Sequence, residues 1–67
     1  MEEIRYPDIT VQLTGEDGNA FGIIARVRVA LGRAGVPADE ITKFTDEATS
    51  GDYNNVLVTA MRWVNVQ

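Results

Sequence analysis

The sequence predicts a small α+β domain dominated by helix, in the order β-α-α-α-(β). Three observations carry this. Ile9, Val11 and Leu13 alternate with Thr10, Gln12 and Thr14, the two-residue period of a half-buried strand. Three later segments repeat apolar residues at helical spacing, each bounded by Gly, Pro or Asp. The tail Trp63-Val64-Asn65-Val66-Gln67 returns to alternation and to β-forming residues. It is the candidate partner for the first strand, whether the two pair within one chain or between two copies.

Residues 1–67 read as one small domain, with residues 1–8 as a polar lead-in ending at Tyr6-Pro7. Pro7 holds Tyr6 extended and suits the entry to a strand over residues 8–14. Gly15-Glu16-Asp17-Gly18-Asn19 is a turn cluster. Asp17 or Asn19 can cap the next helix, and Glu16 and Asp17 suit the positive end of its dipole.

That helix is predicted over residues 19–34. Ala20, Ile23 or Ile24, Val27, Leu31 and Ala34 form its apolar stripe. Phe21, Val29 and Ala30 widen the stripe, as expected of a central helix touched from two sides. Gly22 and Gly32 are weak helix formers, expected where another backbone or subunit comes close. Gly35 stands where a left-handed residue ends a helix, and Pro37 stops continuation.

Pro37-Ala38-Asp39-Glu40 opens a second helix, with Pro in the first turn and acids at the positive dipole end. Ile41, Phe44 and Ala48 share one face; Thr42, Lys43, Asp46 and Glu47 share the other. The helix ends near residues 49–51. Asp52 is a good N-cap for a third helix carrying Tyr53, Val56, Leu57, Ala60 and Met61 at helical spacing.

Composition bounds the function. A chain of 67 residues buries only about 60% of the surface its unfolded form exposes, so self-association is the expected source of further burial. There is no Cys and no His, hence no disulfide, no thiolate site, no imidazole base and no ordinary zinc or copper ligand set. No cofactor and no metal are implied. A formal net charge of −4 argues against direct nucleic-acid binding. The acidic start Met1-Glu2-Glu3-Ile4-Arg5 does not read as a signal peptide. Arg26, Arg28 and Arg33 interrupt the longest apolar stretch, so no membrane span is expected. The expected compartment is the cytoplasm.

Three kinds of function bear on such a chain. An enzyme needs a nucleophile beside a base, and the single serine, Ser50, has no His to activate it. The adjacent acid pairs Glu16-Asp17, Asp39-Glu40 and Asp46-Glu47 read as helix-dipole complements and solvated surface. The sequence therefore reads as non-enzymatic. A binder of a small anionic ligand would use the two glycine-rich helix starts, which offer backbone N–H groups and amide side chains. The candidate residues are Gly18, Asn19 and Phe21 at the first, and Ser50, Gly51, Tyr53 and Asn54 at the second. Tyr53 would stack on a base, and Arg26, Arg28 or Arg62 would supply countercharge. The plainer reading makes both starts ordinary helix caps, and Asp17 and Asp52 stand where an anion would sit. A third function is docking of a basic protein partner on the acids Asp39, Glu40, Asp46 and Glu47, against a plainer reading of a solvated face. Trp63 reads as core rather than interface anchor.

The strings Gly15-Glu16-Asp17-Gly18-Asn19-Ala20-Phe21, Ala34-Gly35-Val36, Glu47-Ala48-Thr49-Ser50-Gly51-Asp52-Tyr53 and Arg62-Trp63-Val64 run through nearly the whole chain. In them the chain resembles a family of small uncharacterised proteins of bacteria and their phages. Many members have Asp-His after the Tyr, where this chain has Asn54-Asn55; any chemistry of that His would be lost here. The resemblance implies no activity or residue role. Its class-level implication is binding rather than catalysis: a compact homo-oligomer that counteracts host defence, by sequestering a nucleotide-like signal or by blocking a host protein.

Overall fold

A computed structural model of the chain describes residues 4–12 and 20–67. Its elements are β1 (Tyr6–Val11), α1 (Ala20–Arg33), α2 (Ala38–Ala48), α3 (Tyr53–Trp63) and β2 (Val64–Val66). This is the predicted α+β order, with the three helices as the crossover between two strands. The strands pair within the chain and run parallel, with Thr10 opposite Asn65 and Val11 opposite Val66. A long helical connection is what allows parallel pairing. Beyond the strand ends, the Arg5 N–H donates to the Arg62 carbonyl at 2.9 Å and the Gln67 N–H to the Val11 carbonyl at 2.9 Å.

The strand starts earlier than its alternation suggested. Tyr6, Pro7 and Asp8 belong to β1 and not to a lead-in, because Tyr6 pairs with Val64. The ladder is irregular between Tyr6 and Thr10, where Pro7 has no N–H to give. Leu13 and Thr14 lie outside the described residues, as do the capping roles expected of Asp17 and Asn19.

α1 buries Ile23, Ile24, Val27 and Leu31. It is not buried from two sides within the chain: Phe21 is 79% and Val29 54% exposed. Within the chain no described residue comes close to Gly32, where a built Cβ meets nothing within 4 Å. The helix ends as predicted. Gly35 has φ +85°, the Val36 N–H donates to the Leu31 carbonyl, and the Gly35 N–H donates to the Gly32 carbonyl. This is a Schellman closure with its usual apolar contact, as Val36 packs on the cluster holding Leu31.

Pro37 is the N-cap of α2 rather than its first-turn residue, with ψ 150°. Phe44 and Ala48 are fully buried. On α3 the buried stripe is Val56, Thr59, Ala60 and Trp63, spaced i, i+3, i+4, i+7. Thr59 replaces Tyr53 and Met61, both of which are exposed. Hydropathy alone placed the stripe one notch round the helix. The helix also runs through Trp63, because that ring closes the stripe, and β2 is left with three residues. Phe44, Leu31, Val27 and Val64 form the fully buried centre, one from each helix of the α1–α2 pair and one from β2, with α1 giving a second.

Candidate functional site

The expected ligand residues fall into separate places. Gly18 and Asn19 lie outside the described residues. Phe21 is exposed near the start of α1, and Arg62 is exposed near the end of α3. Ser50, Gly51, Tyr53 and Asn54 share the α2–α3 turn. Phe21, Ser50, Gly51, Tyr53, Asn54 and Arg62 do not line the groove that holds Arg26.

The α2–α3 turn is a closed set of hydrogen bonds. The Asp52 carboxylate accepts from the Asn55 N–H at 3.0 Å, as an N-cap should. The Asn55 amide donates to the Glu47 carbonyl at 2.8 Å and the Ala48 carbonyl at 3.3 Å. The Ser50 hydroxyl donates to the Glu47 carbonyl at 2.7 Å. Orphan carbonyls at the end of α2 are thereby satisfied from the start of α3. Gly51 is required by this closure, since a Cβ there would stand 2.9 Å from the Asn55 Cβ. The Asp52 carboxylate sits where an anion would bind. Locally the turn acts as a lock between two helices, with Tyr53 and Asn54 exposed beside it.

A second cluster joins the N-terminal segment to α2 and α3. Arg5 and Glu40 form an ion pair at 2.6 Å, and the Tyr6 hydroxyl donates to the same carboxylate at 3.0 Å. The Arg5 guanidinium lies 4.6 Å from the Trp63 ring centre. Tyr6 stacks on Trp63 at 5.9 Å, and Phe44 meets its edge at 5.6 Å. The Arg5 and Tyr6 hydrogen bonds hold the Glu40 carboxyl below its ordinary pKa, and the Glu40 bond raises Arg5. Two of the four acids offered to a basic partner are thus engaged inside the molecule: Glu40 here, and Glu47 with the Trp63 indole.

A concave feature of the surface lies between β1 and α1. It is a groove of about 680 Å³, within the range of small-ligand sites. Residues 8–12 form one wall. Ala25, Arg26, Val29, Ala30 and Arg33 form the other. Arg26 and Arg33 are seven positions apart, two turns on one helix face, about 10 Å along the axis. α1 carries Arg26, Arg28 and Arg33 and no acid, on a chain with ten acids and six bases. Among the described residues the groove carries two arginines, Arg26 and Arg33, and one acid, Asp8. Arg33 was missed by sequence reasoning, although its spacing from Arg26 is legible. The strand wall was missed because nothing local shows which helix β1 faces.

Fold and groove together define a small α+β domain with a partly apolar cleft between β1 and α1 that carries two arginines and one aspartate. No family model, curated protein or solved structure matches the chain. Among the described residues, no group of three acids could hold a metal ion, and no helix is long and apolar enough to cross a membrane.

Proposed function

We propose that this chain is a non-enzymatic, homo-oligomeric cytoplasmic protein that binds a small phosphorylated, nucleotide-like ligand in the β1–α1 groove. The observation that carries this is the pair Arg26 and Arg33 on one wall of a ligand-sized cleft with Val29 and Ala30 between them. Guanidinium groups take phosphate oxygens in a bidentate manner, and the apolar strip suits a base or sugar face. Sequestration of such a signal, against a host defence, is the biological role this reading gives. The sole serine supports binding over catalysis: its hydroxyl is turned to the Glu47 carbonyl.

Equilibrium dialysis and thermal shift with nucleoside di- and triphosphates test this. A ligand at a hundred times its dissociation constant raises stability by about 2.7 kcal/mol. Binding that survives Arg26→Ala with Arg33→Ala sinks the groove as its seat.

A second reading is docking of a basic protein on α2, whose Asp39 and Asp46 are exposed on its outward side. It predicts a salt-sensitive complex, abolished by Asp39→Asn with Asp46→Asn and untouched by the arginine changes.

A further inference from the structure

β1 adds little to the core. Among the described residues eleven apolar side chains are buried, and ten of them lie between Ile23 and Val64. β1 gives one, Val11 at its end; Tyr6 and Ile9 are half-buried, and Pro7, Asp8 and Thr10 are exposed. The other elements hold one another without it. The Val36 N–H closes α1 on the Leu31 carbonyl just ahead of α2. The Asn55 amide locks α3 to the end of α2. The Val64 N–H donates to the Ala60 carbonyl, so β2 leaves α3 already anchored.

What holds β1 is concentrated at its two ends. At one end the Arg5 N–H bonds the Arg62 carbonyl, and Arg5 and Tyr6 share the Glu40 carboxylate beside the Trp63 ring. At the other end the Gln67 N–H bonds the Val11 carbonyl. Between them the ladder is irregular, and its partner strand has three residues. A ribbon of two strands is marginal by itself. An ion pair whose side chains are 43% and 23% exposed contributes little in water. Few buried apolar groups and solvent-facing bonds mark a segment that opens before the rest.

We propose that β1 is a strap. It leaves the three helices and β2 as one unit, from Arg5 to Val11, while their core stays closed, and in leaving it opens the groove. Residues 8–12 are one wall of that groove, so the cleft exists only while the strap is docked. A molecule held between the two walls is bound by the docked state alone, and its binding locks the strap. This last step rests on the ligand reading above; the undocking itself does not. The clasp of Arg5, Tyr6 and Glu40 lies outside the groove lining, and it holds the wall in place from there.

The test is native-state hydrogen exchange, read by NMR in wild type and Arg5→Ala, with urea added below the unfolding transition. The amides of residues 5 and 67 report the two ends of the strap. Those of Val27 and Leu31, inside α1, report the body. The strap amides should open at least about tenfold more readily than the α1 amides. Their urea slopes should match each other and be smaller than the α1 slope, because less surface is exposed. Arg5→Ala removes the clasp and keeps the backbone bonds, and should speed exchange at Gln67, the far end, by the same factor as at residue 5. Strap amides with the α1 slope overturn the proposal, since β1 then leaves only with the whole fold. So does a Gln67 amide indifferent to Arg5→Ala, which is fraying of each end by itself. Pyrophosphate at a hundred times its dissociation constant should slow both strap amides by about 100-fold. Pyrophosphate that fails to bind, or binds without slowing them, removes the groove as the ligand's seat and leaves the strap in place. A strap overturned by its slopes leaves the ligand reading standing.

Discussion

The indole N–H of Trp63 donates to the Glu47 carboxylate at 2.5 Å, tying the last residue of α3 to the last turn of α2. The ring is 3% exposed and touches Tyr6 and Phe44. One side chain thus joins β1, α2 and α3. Trp63→Ala should cost about 3–5 kcal/mol, a large share of the stability of so small a domain. Trp63→Phe keeps most of the packing and removes the donor, and should cost less. Urea unfolding of both variants checks the order; equal losses would mean the hydrogen bond and not the ring area dominates.

Stability should fall with acid in a way that depends on Glu40. Its pKa is lowered in the fold by Arg5 and Tyr6. A lowered pKa contributes stability above the unfolded value, and that contribution is lost as pH falls through the folded one. The window lies below the ordinary glutamate range. Glu40→Gln should flatten that part of the profile and leave the neutral-to-alkaline part parallel to wild type. The pair is solvent-exposed, so the effect is modest and shrinks with salt.

Two glycines of similar sequence context should respond oppositely to alanine. Gly35 sits at φ +85°, and Gly35→Ala should cost about 1–2 kcal/mol in backbone strain. Gly32 is helical with nothing near its absent Cβ, and Gly32→Ala should stabilise by about 1 kcal/mol. Paired thermal melts decide it. A destabilised Gly32→Ala would show that this face is covered in solution.

At the α2–α3 lock, Asp52→Ala should cost about 1 kcal/mol by removing the cap. Gly51→Ala must push Asn55 aside, breaking the bonds to the Glu47 and Ala48 carbonyls. Hydrogen exchange should show the end of α2 and the start of α3 opening together in both variants. Ligand affinity unchanged by either would place binding elsewhere, at the groove.

Local pattern was enough for the element order. Period-two alternation marked Ile9 and Val11, helical spacing marked Ile23, Val27 and Leu31, and Gly35, Pro37 and Asp52 marked the ends they occupy. These signals are short-range: a dihedral preference or a repeat is written in neighbouring residues. The charge asymmetry was equally legible, with three arginines and no acid on α1. Tertiary structure decided what pairs across distance. It joined Tyr6 to Val64 and so moved the strand start. It turned α3 so that Thr59 is inside and Met61 outside, because the rotation is set by the helices it packs on and not by hydropathy alone. It committed Ser50, Asp52 and Asn55 to one another, and it set Arg26 and Arg33 opposite β1. Residues far apart in sequence meet only when the core of Val27, Leu31, Phe44 and Val64 closes, and the groove exists only as the space that closure leaves.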